Sequence, residues 1–273
     1  MWQGKFDVQA RNVVITGGAS GIGFAMAKNL GQRGGRIMIA EPDEARLADA
    51  VSALQAAGVD ACYQICDVTE LAQVEALADR AWAEFERVDM VFNNAGIGIG
   101  QRPIVETPIE SLKAVFDVNF FGVWYGCKVF GERLIEQGTP AGIYNTGSEN
   151  SIFNAVPNNG AYLASKHAVL GMTDNLREQM PDHIHIGLII PGFVKSGLTE
   201  AVANFAMDTD EFVQVIVQQI EDGQFYLVSH AYNLPRIQER YDELTAAFEQ
   251  YAPRYDGDEE YDVRHLMARL QGG

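Results

Sequence analysis

The sequence predicts a doubly wound α/β fold: one parallel sheet with helices on both faces, followed by a helical C-terminal extension. Three observations carry this. Short β-rich runs alternate with longer amphipathic stretches from residue 12 to about residue 192, the pattern of repeated βαβ units. Runs such as "HIGLII" are apolar at every position but the glycine and the histidine, as strands covered on both sides require. Past residue 197 the alternation stops, leaving helices and one short strand candidate, "QFYLV" at 224–228.

The elements follow in order. "NVVITG" opens the sheet and is succeeded by a helix over 21–33, the strand "RIMIA", a helix over 42–57 and "ACYQICD". A helix over 70–86 precedes "DMVFNNAG", and one long helix over 109–136 precedes "GIYNTGS". A helix over 160–180 leads into "HIGLIIPG". The last long helix, 233–251, carries Ile237, Tyr241, Leu244, Phe248 and Tyr251 on one stripe, expected to be core or subunit interface. No linker or low-complexity tract divides the 273 residues, so a single domain is expected. Within it, 197–223 is expected to act as a substrate lid, and 229–273 as a helical extension ending in a solvated acidic tail, "YDGDEEYD".

Charge and composition narrow the function classes. The chain carries 37 acidic against 20 basic residues, a formal net charge of −17, which disfavours nucleic acid and anionic membranes as partners. The N-terminus lacks the apolar core of a signal peptide, and no membrane-length apolar run occurs, so a cytoplasmic protein is expected. Cys62, Cys66 and Cys127 form no C-x-x-C pair and the five histidines are scattered, so no protein-built metal site is expected.

The chemistry starts at "NVVITGGASGIGF". Gly17, Gly21 and Gly23 weaken both strand and helix, and a physical reason for them is a diphosphate cradled by backbone N–H groups at a helix N-terminus; the alternative is an ordinary glycine-rich turn. Twenty residues past Gly21, Glu41 in "IMIAEPDE" stands where an acid accepts both adenosine ribose hydroxyls and repels a 2′-phosphate, which selects NAD over NADP. Its alternative role is an acid favoured by a helix dipole. The ribose reading is preferred because neither "GGAS" nor Pro42 offers a cation for a 2′-phosphate. Tyr162 and Lys166, four residues apart, share one helix face, so the ammonium favours the phenolate.

Taken in order, "TGGASGIG", "NNAG", "VNFFG", "NTGS", "YLASK" and "PGFVKS" closely resemble the motifs of the short-chain dehydrogenase/reductase family, over residues 8 to 197. The resemblance implies a Rossmann-type sheet and hydride transfer between a nicotinamide cofactor and an alcohol or ketone. It implies that Thr16, Gly17, Ser20, Gly21, Ile22 and Gly23 shape the cofactor turn, that Glu41 holds the adenosine ribose, and that Asp67 and Val68 flank the adenine. Asn93, Ala95 and Gly96 would line the cofactor floor, and Pro191, Gly192, Val194 and Ser196 would frame the nicotinamide. The catalytic set would be Asn119, Ser148, Tyr162 and Lys166, with Tyr162 as general base, Ser148 donating to the reacting oxygen, and Lys166 also holding the nicotinamide ribose. Asn119 would anchor a proton-relaying water. Ser151 competes with Ser148 for the serine role, and Asn119 has the alternative of an exposed helix position.

The expected substrate pocket comprises Glu149, Asn150, Phe153, Val156, Phe193, Phe205 and Met207, mainly apolar, which favours a bulky or aromatic secondary alcohol over a sugar. Ser196, Lys195 and Glu149 depart from the family pattern, and the last two are expected to reshape that pocket. The C-terminal part is faintly similar to bacterial members that oxidise benzylic alcohols. Two other functions stay open, an NADPH-dependent ketone reductase and a non-catalytic NAD-binding regulator. A homodimer or homotetramer is expected through the helices 109–136 and 160–180, where Val115, Val118, Phe121, Val123, Trp124, Phe130, Leu134, Leu163, Val169, Leu170 and Met172 spread beyond one stripe.

Overall fold

The computed structural model describes Trp2, residues 4–196 and residues 204–271. The chain divides into two compact units, Met1–His230 and Ala231–Gly273, where the sequence suggests one domain with an extension. In the first unit seven parallel strands lie in the order β3-β2-β1-β4-β5-β6-β7. They are β1 (Asn12–Thr16), β2 (Arg36–Glu41), β3 (Asp60–Ile65), β4 (Met90–Asn93), β5 (Ala141–Thr146), β6 (Ile184–Ile190) and β7 (Tyr226–Val228). The helices are α1 (Gly21–Gln32), α2 (Glu44–Ala56), α3 (Leu71–Phe85), α4 (Ile109–Phe116), α5 (Gly122–Gln137), α6 (Gly160–Gln179) and α7 (Thr209–Glu221).

The side-chain period of two sorts the sheet into two cores. Val13, Ile15, Ile37, Ile39, Met90 and Phe92 face α1, α2 and α7. Their neighbours Val14, Met38, Val91, Ile143, Leu188 and Ile190 face α3, α5 and α6. Strand order reverses between β1 and β4, and the segments that leave the C-terminal ends of these strands meet there, which is where such sheets place ligands.

Four expectations change. The long helix expected over 109–136 is α4 and α5 joined by a π-helical turn at Asp117–Phe121, a local widening that re-aims Asn119. Of the segment expected as a lid, residues 197–203 lie outside the described residues, but 209–221 is α7, whose Phe212, Val213, Ile216, Val217 and Ile220 are buried core. Part of the apolar surplus on the two long helices is absorbed by the chain's own core: Val115, Val123, Phe130, Leu134 and Val169 are buried and Val118, Leu170 and Met172 pack against them half-buried, leaving Leu163 half-buried, Phe121 at 43% and Trp124 at 49% exposure. Lastly, the "YDGDEEYD" stretch is no simple tail: Arg254 pairs with Asp258, and a 3-10 turn at Asp258–Tyr261 leads into α9 (Val263–Gln271).

In the second unit, α8 (Asn233–Tyr251) has the predicted bounds. Its stripe is not core, because Tyr241, Leu244, Phe248 and Tyr251 are all exposed.

Candidate active site

The glycine turn has the geometry of a cradle. Gly17 and Gly21 sit at φ +63° and +52°, where side chains are strained, and a Cβ on Gly23 would lie 2.3 Å from the Gly17 carbonyl oxygen. The turn is braced from behind: Thr16 Oγ1 accepts from Asn94 N at 3.0 Å and from Ala95 N at 3.2 Å, while Asn94 Nδ2 donates to Thr16 O and Gly17 O. Ser20 is the N-cap residue of α1 yet makes no side-chain cap bond, so the first-turn N–H groups of that helix keep their capacity for an anion. Ile22 lies partly buried in that first turn, and Ser196 comes close to Gly21, with 3.3 Å between its Cβ and a Cβ built on the glycine.

The side chain of Asn93 does not reach the glycine turn. Strand alternation turns its side chain away from the cofactor turn, toward α5, where Nδ2 donates to Asn145 Oδ1 at 2.8 Å beside Cys127. Asn94, which the motif reading passed over, is the asparagine that touches the turn; the period of two from Phe92 was the signal for it. Ala95 lies against Gly17, and a Cβ on Gly96 would be 3.7 Å from Lys166 Nζ. Asp67 spends its carboxylate on Thr69 N and Oγ1, and Val68, three residues past β3, is buried.

Glu41 ends β2 almost fully buried. Burial raises its pKa, opposed by the Arg46 guanidinium and by a hydrogen bond from Ala19 N–H. Arg46 Nε lies 3.4 Å from Glu41 Oε1. The expectation of no nearby cation is therefore corrected: the arginine comes from the first turn of α2, five residues on.

The catalytic candidates converge from three elements. Ser148, two residues past β5, caps a 3-10 turn at Glu149–Ser151 and hydrogen-bonds Tyr162. Ser151 Oγ is occupied in accepting from Ser148 N at 3.1 Å, which separates the two serines. Lys166 is buried one turn along α6 from Tyr162, its Nζ donating to Thr146 O at 2.8 Å and 5.6 Å from the Tyr162 ring centre. Burial pushes the Lys166 ammonium down to about 8. Tyr162 is raised, first by burial and further by the Glu149 charge, against the hydrogen bond from Ser148. The sequence expectation of a phenol lowered by its lysine is thus outweighed here by burial.

Asn119 is fully buried, which removes the exposed-helix alternative. Its Oδ1 accepts from Ile97 N at 2.8 Å and its Nδ2 donates to Ile97 O and Ser165 Oγ. The side chain ties the loop after β4 to α6.

Around this centre, Glu149, Asn150 and Phe153 are buried and Val156 and Phe193 half-buried. Pro191 O accepts from Glu149 N, binding the segment after β6, with Gly192, to the Ser148 turn. Val194 bridges to Met207, and Met207 packs into the core facing α1 and α7 rather than lining an open pocket. Phe205 is 85% exposed and is not brought to the others. Lys195 pairs with Asp208 at 3.4 Å.

With this geometry the comparisons are decisive. The pattern of the short chain dehydrogenase family matches residues 11–206. The chain belongs to that family. It is 31% identical over 246 residues, 87% of this chain and 91% of the relative, to 1-deoxy-11-beta-hydroxypentalenate dehydrogenase of Streptomyces avermitilis. It is 32% identical over 222 residues, 80% and 85% of the two chains, to 2,5-dichloro-2,5-cyclohexadiene-1,4-diol dehydrogenase of Sphingobium indicum. A family member from Burkholderia phymatum, solved in complex with NAD, superposes with a TM-score of 0.83 at 30% identity over 92% of this chain and 98% of that one. The chain is accordingly an oxidoreductase of a family that uses a nicotinamide cofactor, and the glycine cradle with its unspent α1 N-terminus fits one. No helix among the described residues is long and apolar enough to cross a membrane.

Proposed function

We propose that this short-chain dehydrogenase interconverts a bulky, largely apolar cyclic secondary alcohol and its ketone, with NAD as cofactor. One observation carries the reading: Ser148, Tyr162 and Lys166 meet beside the cofactor cradle, with Glu41 at the end of β2 on the adenosine side. The cradle at residues 16–23, Glu41, Lys166 and the segment 191–196 would hold the dinucleotide, with Asp67 and Val68 toward the adenine. When bound, the cofactor supplies the hydride acceptor or donor.

The chain's own residues do the proton chemistry. Tyr162 Oη takes the alcohol proton, and Ser148 Oγ donates to the oxygen on which charge gathers. Lys166, already stripped of water and anchored to Thr146 O, presents its positive charge to the phenolate face of α6. Asn119 keeps the loop at Ile97 and the helix at Ser165 in register with these groups. Phe153, Val156 and Phe193 supply the apolar wall, and the named relatives act on hydroxylated ring systems, which supports a cyclic substrate. A panel of cyclic secondary alcohols followed at the NADH absorbance band tests it; turnover on aliphatic polyols alone would overturn the substrate class, and turnover only with NADP would overturn the cofactor.

The assembly reading rests on a smaller base than the sequence suggests. Phe121, at the end of the π-helical turn, and Trp124 of α5 are exposed within a ladder of rings that includes Phe120 and Tyr125. Aromatic surface of this kind suits a two-fold contact through α5 and α6. Light scattering is expected to give at least twice the 30.0 kDa of one chain, and Trp124→Glu is expected to shift the mass toward one chain.

A further inference from the structure

The second unit carries an apolar seam that its own residues leave uncovered. On α8, Leu234, Ile237, Tyr241, Leu244, Phe248 and Tyr251 recur at alternating steps of three and four residues. That is the seven-residue repeat of a helix that pairs lengthwise with another helix, not the roughly 3.6-residue period of one lying on a globular core. All but the half-buried Ile237 are between 51% and 80% exposed. Within the unit α9 does not supply the cover, because its own Val263, Leu266, Met267 and Leu270 are exposed as well. A surface helix gains most of its stability from packing its apolar face, so α8 calls for a partner.

Charge and side-chain size along α8 both select a second copy of the same helix, running the opposite way. The N-terminal half holds Arg236, Glu239 and Arg240, a net charge of +1, and the C-terminal half holds Asp242, Glu243 and Glu249, a net charge of −3. Two copies laid antiparallel place each positive half beside the other's negative half and align their helix dipoles favourably. Laid parallel, they would stack the acids. The seam is also self-complementary about its middle. With Tyr241 against Leu244 of the second copy, Ile237 meets Phe248 and Leu234 meets Tyr251, so every layer sets an aliphatic side chain against an aromatic one. Of the flanking residues Gln238, Arg240, Thr245 and Ala247, only Arg240 is charged, and it lies toward the acidic half of the other copy.

We propose that α8 is a self-association site: two copies of this chain pair through an antiparallel α8–α8 seam centred between Tyr241 and Leu244. The contact is isologous and closes on itself. It is separate from the α5–α6 contact proposed above, and a chain that uses both joins dimers to dimers.

Light scattering and sedimentation of the full chain at micromolar concentrations test it, on wild type, Leu244→Asp, the double variant Arg236→Glu with Arg240→Glu, and Trp124→Glu. Leu244→Asp puts a charge into the central layers and is expected to weaken the seam about a hundredfold or more, halving the mass. The double arginine variant leaves the apolar seam intact and is expected to weaken it about tenfold, with rescue by adding Glu243→Arg and Glu249→Arg. Trp124→Glu is expected to lower the mass without taking it below twice the 30.0 kDa of one chain, and a further Leu244→Asp to bring it to one chain. A thermal transition of wild-type height in each variant shows that the sheet unit is folded. A wild type of one chain, a mass that Leu244→Asp leaves unchanged, or a Trp124→Glu protein already at one chain overturns the proposal. An arginine variant that holds its mass at every concentration, while Leu244→Asp halves it, overturns the antiparallel seam in favour of a parallel pair or another partner helix. A wild type that is halved by Leu244→Asp and untouched by Trp124→Glu removes the α5–α6 contact and supports the α8 seam.

Discussion

The two ends of the proposed cofactor site are built on different physical terms. At the catalytic end Ser148 and Lys166 are buried and Tyr162 nearly so, each held by a neighbour from another element, and dehydration dominates their electrostatics. At the adenosine end the carboxylate of Glu41 is buried, but its partner Arg46 stands half in solvent on a different helix. Removing a group from the first end leaves nothing to replace it. At the second, the guanidinium stands partly in water, so the same kind of change is expected to alter preference rather than function.

That contrast fixes the order of expected effects. Tyr162→Phe deletes the proton acceptor without changing the shape of α6, so kcat is expected to fall by about three orders of magnitude or more. NADH binding is expected to persist in the same variant. Near-full turnover would remove Tyr162 from the mechanism and with it the catalytic end as drawn. Glu41→Gln, at the other end, is expected to keep kcat with NAD within a fewfold and to narrow the NAD over NADP preference in kcat/KM by about tenfold. A collapse of kcat in Glu41→Gln comparable to that of Tyr162→Phe would erase the distinction between the two ends.

How far the sequence speaks follows the same division. The strands and the motifs after them are legible because period-two burial and glycine turns are local properties; Thr16, Gly17 and Ser148 are read from their distance to a strand end, and Lys166 from its helical spacing to Tyr162. The motif reading treats Asn93 and Asn94 as a unit, although the parity from Phe92 already turns their side chains to opposite faces. The π-helical turn at Asp117–Phe121 leaves no mark in an apolar helical pattern, since the same residue types serve both windings. Arg46 escaped for a different reason: its contact with Glu41 depends on the reach of a long side chain back from the next helix, and no spacing rule encodes that reach. The α8 stripe has helical periodicity in full but its exposure depends on what meets it, which periodicity does not state.

The smallest effect is the sharpest test of the buried end. Glu149 follows Ser148 on the turn that faces α6, and its negative charge adds to burial in opposing ionisation of Tyr162. The other charged group facing the phenol is Lys166, and that ammonium is itself pushed down by burial to about 8. Alcohol oxidation needs the phenolate, so its rate rises with pH as Tyr162 deprotonates. Glu149→Gln removes the repulsion while keeping the side-chain size, so Tyr162 deprotonates at lower pH and the rising limb of kcat/KM for oxidation moves toward acid. At a fixed pH below that limb, oxidation by the variant is then expected to be a fewfold faster. Ketone reduction, which needs the phenol, is expected to lose its alkaline side at lower pH in the same variant. A limb that stays in place or moves to higher pH would show that Glu149 does not act on Tyr162 through its charge, and the catalytic end would then be governed by burial and the Ser148 hydrogen bond alone.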